Sequence, residues 1–325
     1  MKNFLKIALW ACCAVVCLIF ANSCGKSTPA DAAGVTRIGV SIPSADHGWT
    51  GGIVWWAQKA KAELEKANPG IVIEVVTAKD STEQVNQIES LMATGIKALV
   101  VLPHEPGPLT NVCSQVRDNG IFLVVVDRNL TKPVQNITVA GDNPGFGRTC
   151  AEVLAKQLNY AGDIVIMEGV QCAVNTDRVN AFREVMAKYP NIKIMDSQPT
   201  NWDTAQALKV MESFLQKYPK IDAVWTGDDD VLLGALKAYK ESGRKDVKCF
   251  IGGAGSKVVN KMVLDKDPLV PANVTYPPKM IYHGVEQAIR GLNSATPING
   301  EVITIPADII TPENAADFYF PDSIY

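Results

Sequence analysis

The chain has 325 residues, 31 lysines and arginines against 34 aspartates and glutamates, and a formal net charge of -3 at pH 7. A mildly acidic chain without a basic cluster lacks the positive surface that neutralises nucleic-acid phosphates, so we expect no nucleic-acid binding. The partners of this protein should therefore be sought among other classes of molecule.

The first residues have the pattern of a secretory signal. Lys2 and Lys6 precede or flank an uncharged apolar run, Ile7 to Phe20. That run is shorter than the roughly 18 to 20 residues needed for a permanent membrane anchor. We therefore predict a signal peptide over residues 1–23, whose removal leaves the mature chain more acidic.

The residues around Cys24 resemble a bacterial lipobox, in which the cysteine is lipidated and becomes the new N-terminus. Ala21 and Ser23 precede it, and a polar stretch follows. We expect lipid on Cys24, an anchor linker over residues 24–34, and a location in the periplasm or on the outer face of the cell membrane. Plain cleavage and release is the alternative, because Ala21 stands where the lipobox has leucine.

From Arg37 onward, short β-branched runs alternate with longer segments of helical period. Near-continuous apolar strands that alternate with helices predict parallel sheets covered on both faces. The predicted strands are Arg37 to Ile42, Val72 to Thr77, Ala98 to Leu102, Phe122 to Val126, Asp163 to Met167, Ile192 to Ser197, Ala223 to Trp225, Lys248 to Gly252 and Ala272 to Tyr276. The predicted helices include Ile53 to Ala67, Thr82 to Thr94, Phe146 to Leu158, Val179 to Lys188, Ala205 to Lys217 and Val231 to Glu241.

Local signals predict where two of these helices begin. Ser81 and Gln84 have the spacing of a capping box, and Asp203 or Thr204 can cap the helix that follows Trp202. These residues are expected to have a structural role only.

The mature chain, of about 290 residues, is large for one hydrophobic core, so we expect two domains. A short internal sequence repeat supports this expectation. Ile88-Glu89-Ser90-Leu91 precedes one predicted strand, and the similar segment Met211-Glu212-Ser213-Phe214 precedes another. We predict an α/β fold of two doubly wound parallel-sheet lobes that face each other across a cleft. In such sheets ligands bind at the carboxyl ends of the strands.

Polar and aromatic side chains recur in the loops after the predicted strands. Carboxylates, guanidinium and imidazole each engage neighbouring hydroxyls, and an aromatic face packs against the C–H side of a sugar ring. The mixture therefore favours a sugar or polyol, although any single aspartate could be a helix cap and Asp127 with Arg128 a structural ion pair. The segments that carry this mixture are 44–50, 127–129, 141–143, 175–178, 201–203 and 227–230.

Segments in this order and spacing resemble the ribose-binding branch of the periplasmic (type I) sugar-binding proteins of ABC importers. The similarity runs from about Val35 to Ala315. It is carried by Arg37 to Ala62, by VVVDRN at 124–129, by the helix opening at Arg178 to Phe182, by LLGALKAYKESG at 232–243 and by TIPADIITPENA at 304–315.

The resemblance implies that the chain crosses between the lobes through a three-strand hinge, near Ala140, Thr275 and residues 296–301. The implied N-terminal lobe comprises residues 35–140 and 276–298, and the implied C-terminal lobe residues 141–275 and 299–325.

The resemblance also implies ligand contacts and a function. His47, Trp49, Asp127 and Arg128 match contacts of the first lobe, whereas Arg178, Trp202 and Asp228 match those of the second. Asp46 and Tyr276 are added for their proximity, and Thr275 for its hinge position. The implied function is the delivery of a sugar, polyol or cyclitol to membrane permease and ATPase subunits. We expect a monomer without enzymatic activity, metal or cofactor.

Departures from the family pattern bear on the ligand. Ala254 stands where the family has an aspartate, Thr275 where a glutamine is common, and Thr50 where a second aromatic follows the first strand. These changes predict hydroxyl recognition different from that of ribose.

Other functions would leave other marks in the sequence. Gly253-Ala254-Gly255 follows a predicted strand, but Val258 stands where a dinucleotide fingerprint has its third small residue. The Asp228-Asp229-Asp230 run lacks the alternating oxygen donors of a calcium loop. A hydrolase would need a Gly-x-Ser-x-Gly elbow, and a repressor a helix-turn-helix where the leader stands. Presentation of the ligand to a membrane sensor stays open, because importer and sensor both read lobe closure.

The mature chain beyond Cys24 contains Cys113, Cys150, Cys172 and Cys249, with no Cys-x-x-Cys pair. Zinc-ligand spacing is therefore missing. We expect buried small hydrophobic side chains, while an exported location leaves a disulfide open.

Overall fold

Two parallel sheets organise the computed structural model, which describes residues 34–45 and 48–325. Residues 36–325 belong to one compact unit. We call the part built on the six-stranded sheet the N-lobe and the part built on the four-stranded sheet the C-lobe. The predicted α/β class with two parallel-sheet lobes is confirmed.

The strands, in chain order, are β1 (Thr36–Pro43), β2 (Ile71–Ala78), β3 (Ala98–Val101), β4 (Phe122–Val126), β5 (Ile137–Gly141), β6 (Gly162–Glu168), β7 (Ile192–Pro199), β8 (Ala223–Thr226), β9 (Cys249–Ile251), β10 (Asn273–Val274), β11 (Glu301–Ile305) and β12 (Ile309–Ile310). The N-lobe sheet has the order β11-β5-β4-β3-β1-β2, and the C-lobe sheet the order β7-β6-β8-β9. The short strands β10 and β12 pair with each other antiparallel.

The helices are α1 (Gly48–Ala67), α2 (Ser81–Ala93), α3 (Pro106–Asp118), α4 (Asn143–Gln157), α5 (Ala173–Met186), α6 (Thr204–Lys217), α7 (Asp229–Ser242), α8 (Lys257–Leu264) and α9 (Met280–Leu292). A short 3-10 helix covers Ala315–Phe318. Among the described residues, no helix is long and apolar enough to cross a membrane.

Burial explains the apolar strands. The central strands β3 and β8 are buried along their whole length because helices cover both faces of each sheet. All strand pairs within the two main sheets are parallel. The carboxyl ends of each sheet therefore share one edge, and the loops at these edges carry the polar and aromatic residues selected from the sequence.

The chain changes sheet near Gly141, near Thr275 and after Ile305. The third change falls later than the predicted 296–301, because β11 pairs in register with β5 and so belongs to the N-lobe sheet. Residues 299–305 were therefore assigned to the wrong lobe. Thr275 N donates to Asp308 O at 2.9 Å, which ties the second and third connections together.

The helix caps agree with the sequence in one case and differ in the other. Asp203 caps α6 by accepting from Gln206 N at 2.6 Å. The cap of α2 is Asp80, which accepts from Glu83 N at 2.8 Å, rather than Ser81. Both residue types cap well, so the predicted boundary was wrong by one residue.

All four cysteines of the described chain are free thiols. Cys113, Cys150 and Cys249 are buried, and burial raises the pKa of each to about 12. Cys172 is exposed, so the expectation of a buried side chain is wrong there. In residues 34–45 and 48–325, no group of three or more His, Cys, Asp or Glu side chains could hold a metal ion.

Candidate functional site

Trp49 is a buried N-lobe residue of the candidate site. It lies in the first turn of α1, at the carboxyl end of β1. Its Nε1 donates to the backbone carbonyl of Tyr276 at 3.0 Å, and the two rings lie 6.0 Å apart in a tilted arrangement. One edge of the indole is therefore fixed to the second inter-lobe connection.

Asp127 follows β4 directly and adopts a φ of 63°. Aspartate tolerates this left-handed conformation better than most residues, and the turn places its buried carboxylate at the carboxyl end of β4. Oδ1 accepts from Tyr276 Oη at 2.5 Å, and Oδ2 lies 3.8 Å from Arg128 Nε. Arg128 also donates from Nη1 to His104 O at 2.9 Å, so its guanidinium fastens the neighbouring turn.

Arg178 is the buried cation of the site. It lies on α5 in the C-lobe with 4% of its surface exposed. Nε donates to Asn143 Oδ1 at 2.9 Å, and Nη1 to Gly227 O at 2.8 Å. The guanidinium carbon lies 4.3 Å from the Phe146 ring centre and 4.2 Å from the Tyr276 ring centre. Two aromatic faces therefore hold a desolvated charge in place.

A chain of hydrogen bonds joins the two lobes through Arg178, Asn143, Tyr276 and Asp127. Asn143 accepts from Arg178 and donates from Nδ2 to Tyr276 Oη at 3.2 Å, while Tyr276 donates to Asp127. Burial, with the Asp127 charge beside it, raises the pKa of Tyr276. Its phenol therefore stays protonated and remains the donor at neutral pH.

The acidic turn Asp228-Asp229-Asp230 opens α7 at the carboxyl end of β8. Asp228 caps the helix by accepting from Val231 N at 2.9 Å. Burial raises the pKa of Asp228 well above its usual range, the neighbouring carboxylates raise it further, and the Arg178 charge opposes them. Asp228 therefore caps α7, and its protonation depends on the charges of Asp229, Asp230 and Arg178.

Asp229 joins the acidic turn to the hinge. It is fully buried, and its Oδ2 accepts from Ser256 N at 2.6 Å, Asn273 Nδ2 at 3.0 Å and Gly255 N at 3.1 Å. Burial nevertheless raises the pKa of its carboxyl from 3.8 to about 7. The three donors limit this rise without cancelling it.

Stability is expected to fall by about 3 kcal/mol between pH 5 and pH 8 because of Asp229. The folded state retains a proton that the unfolded chain has already released, so the stabilisation is complete below pH 4 and is lost as the pH passes through about 7. Denaturant unfolding at several pH values measures this effect. Asp229→Asn should flatten the profile relative to wild type, whereas Asp265→Asn, at an exposed carboxylate, should follow wild type. Parallel profiles for Asp229→Asn and wild type would contradict the assignment.

Trp202 lies on the C-lobe side with a φ of 55°. A Cβ added at Gly169 would lie 2.0 Å from its Nε1, so only glycine lets the indole pack this closely. Gly169 adjoins Gly227, whose carbonyl accepts from Arg178. Trp202 Nε1 is buried and has no hydrogen-bond partner among residues 34–45 and 48–325.

The structure brings part of the predicted set together. Trp49, Asp127, Arg178 and Tyr276 are linked by direct contacts. Trp202 and Asp228 border the same region through Gly169 and Gly227. Asp46, His47 and Cys24 lie outside the described residues.

Thr275 lies at the second connection between the lobes. Its hydroxyl accepts from Asp308 N at 2.9 Å and donates to Pro306 O at 3.3 Å. The side chain is therefore engaged within the hinge.

Asn143 and Phe146 were not among the predicted ligand contacts. Asn143 lies in the segment 141–143, which the sequence singled out at the end of what is now β5, but it was not carried into the predicted set. Phe146 offered no such signal, because an apolar residue in the first turn of a helix is indistinguishable in sequence from a core residue.

A family model described as a periplasmic binding protein domain matches residues 38–294. This chain belongs to that family. The binding protein also has a solved structural neighbour at a TM-score of 0.76 and 26% identity, the arabinose ABC transporter component from Shewanella sp. ANA-3 bound to alpha and beta-L-arabinofuranose. The match covers 87% of this chain and 94% of the neighbour. The type I, ribose-binding-like membership expected from the sequence is confirmed.

Two curated relatives are similar in sequence to the binding protein. The xylitol-binding protein of Mycolicibacterium smegmatis is 29% identical over 228 residues, which are 70% of this chain and 64% of the relative. The D-ribose/D-allose-binding protein of Pseudomonas aeruginosa is 27% identical over 241 residues, 71% of this chain and 75% of the relative. The alignment thus spans less than two thirds of the first relative.

Proposed function

We propose that the binding protein captures a sugar, polyol or cyclitol between its lobes outside the cytoplasm and delivers it to the permease and ATPase subunits of an ABC importer. The observation that carries the proposal is the inter-lobe network in which Arg178 lies against two aromatic rings and connects through Asn143 and Tyr276 to Asp127. The names of the relatives, which span a polyol, a pentose and a hexose, support this ligand class.

The chemistry of the site suits hydroxyl-rich molecules. The Asp127 carboxylate and the Arg178 guanidinium each have groups that can engage two neighbouring hydroxyls. Trp49 and Trp202 present aromatic faces from opposite lobes, which suits the C–H faces of a ring or carbon chain. A buried hydrogen bond to a charged group contributes about 1.5 to 3 kcal/mol, so an analogue that lacks the matching hydroxyl is rejected.

Lobe closure provides the signal for delivery. Ligand first binds one lobe, and rotation about the three connections brings the other lobe onto it. Arg178, Trp202 and Asp228 come from the C-lobe, while Trp49, Asp127 and Arg128 come from the N-lobe. Asp46 and His47, which precede α1 in the sequence, complete the proposed set of ligand contacts. The closed surface then docks on the permease, and the ligand leaves chemically unchanged.

The N-terminal residues 1–34 direct export and membrane attachment in this proposal. Residues 1–23 act as a signal peptide, and Cys24 carries the lipid that holds the monomeric protein at the outer face of the membrane through residues 24–34. The lipid anchor keeps the captured ligand close to the importer.

Isothermal titration against pentoses, hexoses, polyols and cyclitols is expected to identify at least one ligand bound at micromolar concentration or below. Trp202→Ala should weaken that binding by about tenfold to a hundredfold, because it removes an aromatic contact worth about 1.5 to 3 kcal/mol. Mass spectrometry of small molecules released on denaturation would identify a ligand retained from the cell.

Trp55→Ala provides the matched control. This indole lies on α1, edge-on to Trp56 and near the Lys59 ammonium. It is not a member of the hydrogen-bonded network of Arg178, Asn143, Tyr276 and Asp127, so affinity should stay within twofold of wild type. No binding to any panel member would remove the sugar hypothesis, and wild-type affinity in Trp202→Ala would remove Trp202 from the site.

A further inference from the structure

Residues 319–325, which we call the closing segment, start on the C-lobe. They follow the 3-10 helix, where Asn260 Nδ2 donates to Phe318 O at 2.8 Å. Lys257 Nζ donates to Pro321 O at 3.2 Å and also to Ser323 O. Both donors belong to α8, so the root of the closing segment is fixed to the C-lobe.

The closing segment also contacts the N-lobe. Phe320 packs edge-on against Trp56 with the ring centres 5.1 Å apart. Tyr325 lies beside the start of α1, where it also adjoins Pro278. The closing segment therefore contacts both lobes, and its N-lobe contacts are with α1.

Glycines in the first turns of α1 make room for the closing segment. A Cβ at Gly48 would lie 2.9 Å from Tyr325 Cδ2, and one at Gly52 would lie 3.0 Å from Tyr325 Cβ. A Cβ at Gly51 would lie 3.2 Å from Ile324 Cδ1. Glycine lowers helix stability, so this cluster of glycines in a helix start is explained by the close approach of the closing segment, together with Asp230 at Gly48 and Pro278 at Gly52.

The phenol of Tyr325 faces the charged part of the cleft. Only 7% of the residue is exposed, and its Oη is buried without a hydrogen-bond partner in the described part of the chain. The charges of the acidic turn 228–230 and of Arg178 act on it. The same Gly48 Cβ position that adjoins Tyr325 lies 2.7 Å from Asp230 Oδ1, which places the ring beside the acidic turn.

We infer that Tyr325 is a ligand-contacting, specificity-determining residue whose hydroxyl bonds to a hydroxyl of the bound sugar or polyol. This inference rests on the proposed function. A buried phenol requires a partner, and a ligand hydroxyl can both donate to it and accept from it.

The test compares wild type, Tyr325→Phe and Ile324→Ala by isothermal titration with the best ligand of the panel and its monodeoxy analogues. Tyr325→Phe keeps the ring and removes only the hydroxyl, so we expect about tenfold weaker binding of the parent ligand. One deoxy analogue, which lacks the hydroxyl that meets Tyr325, should bind wild type and Tyr325→Phe with equal affinity. Ile324→Ala changes a neighbouring side chain that is 64% exposed and should bind like wild type.

The outcomes separate this inference from the proposed function. If wild type binds the parent ligand and Tyr325→Phe binds it within twofold, Tyr325 is not a ligand contact and the proposed function stands. If every deoxy analogue loses as much affinity from Tyr325→Phe as the parent does, the hydroxyl acts through the fold and the inference is overturned. If wild type binds no panel member, the proposed function itself fails.

Discussion

Arg178→Ala is expected to weaken ligand binding more than a hundredfold and to lower the free energy of unfolding by about 3 kcal/mol. The guanidinium is buried, and its removal leaves Gly227 O and Asn143 Oδ1 without their donor. It also removes the positive charge that opposes the raised pKa of Asp228. Isothermal titration and denaturant unfolding measure the two effects separately.

Two further variants test why Arg178→Ala loses ligand affinity. Arg183→Ala removes a guanidinium from the same helix, 3.9 Å from Glu168 at a half-exposed position, and should leave affinity unchanged. Arg178→Lys keeps the charge without the planar fork, so an intermediate loss is expected. An Arg178→Ala protein that binds within threefold of wild type would exclude Arg178 from the site.

The fold was predictable because its signals are local. Apolar runs identified the buried strands. A short sequence repeat marked equivalent positions in the two lobes, at Ile88 to Leu91 and at Met211 to Phe214. These residues lie on α2 and α6, the helices that precede β3 and β8, and each of those strands flanks the first strand of its sheet. Repetition of one supersecondary pattern therefore revealed two lobes before any contact was known.

The third inter-lobe connection was misplaced because strand pairing is a long-range property. The segment Glu301–Ile305 reads as a short alternating run that either sheet could accept. Its assignment depends on the register with Ile137–Gly141, about 160 residues earlier in the chain. No local pattern contains that information.

The candidate site was predictable where chemistry and position coincide. Asp127 directly follows the buried strand β4, and Asp228 follows the buried strand β8 after one glycine. The sequence shows both the acidic residue and the apolar run before it. Tyr325 gave no such signal, because its place beside α1 follows from the path of the closing segment. The related feature in the sequence is the group of glycines at 48, 51 and 52. These glycines indicate close packing against α1, but they do not identify the segment that packs there.

Gly147→Ala is expected to destabilise the protein by about 2 to 3 kcal/mol even though alanine favours the helix by about 1 kcal/mol. Gly147 lies on α4, and a Cβ there would lie 2.1 Å from the backbone carbonyl oxygen of Arg178 and 3.1 Å from Ala181 Cβ. Backbone cannot rotate away as a side chain can, so α5 must shift. Because α5 carries Arg178, ligand affinity should also fall by about tenfold.

Gly107→Ala is the matched control, since Gly107 is also helical and a Cβ there meets no atom within 4 Å. The gain in helix propensity is offset by crowding against the following proline, so stability should change by less than about 0.5 kcal/mol. Denaturant unfolding and titration of both variants distinguish packing from propensity. If Gly147→Ala were as stable as wild type, the close packing of α4 on α5 would not be what fixes Arg178. If it were destabilised but bound ligand normally, α5 would move without displacing the guanidinium, and the link between helix packing and the cleft would be refuted.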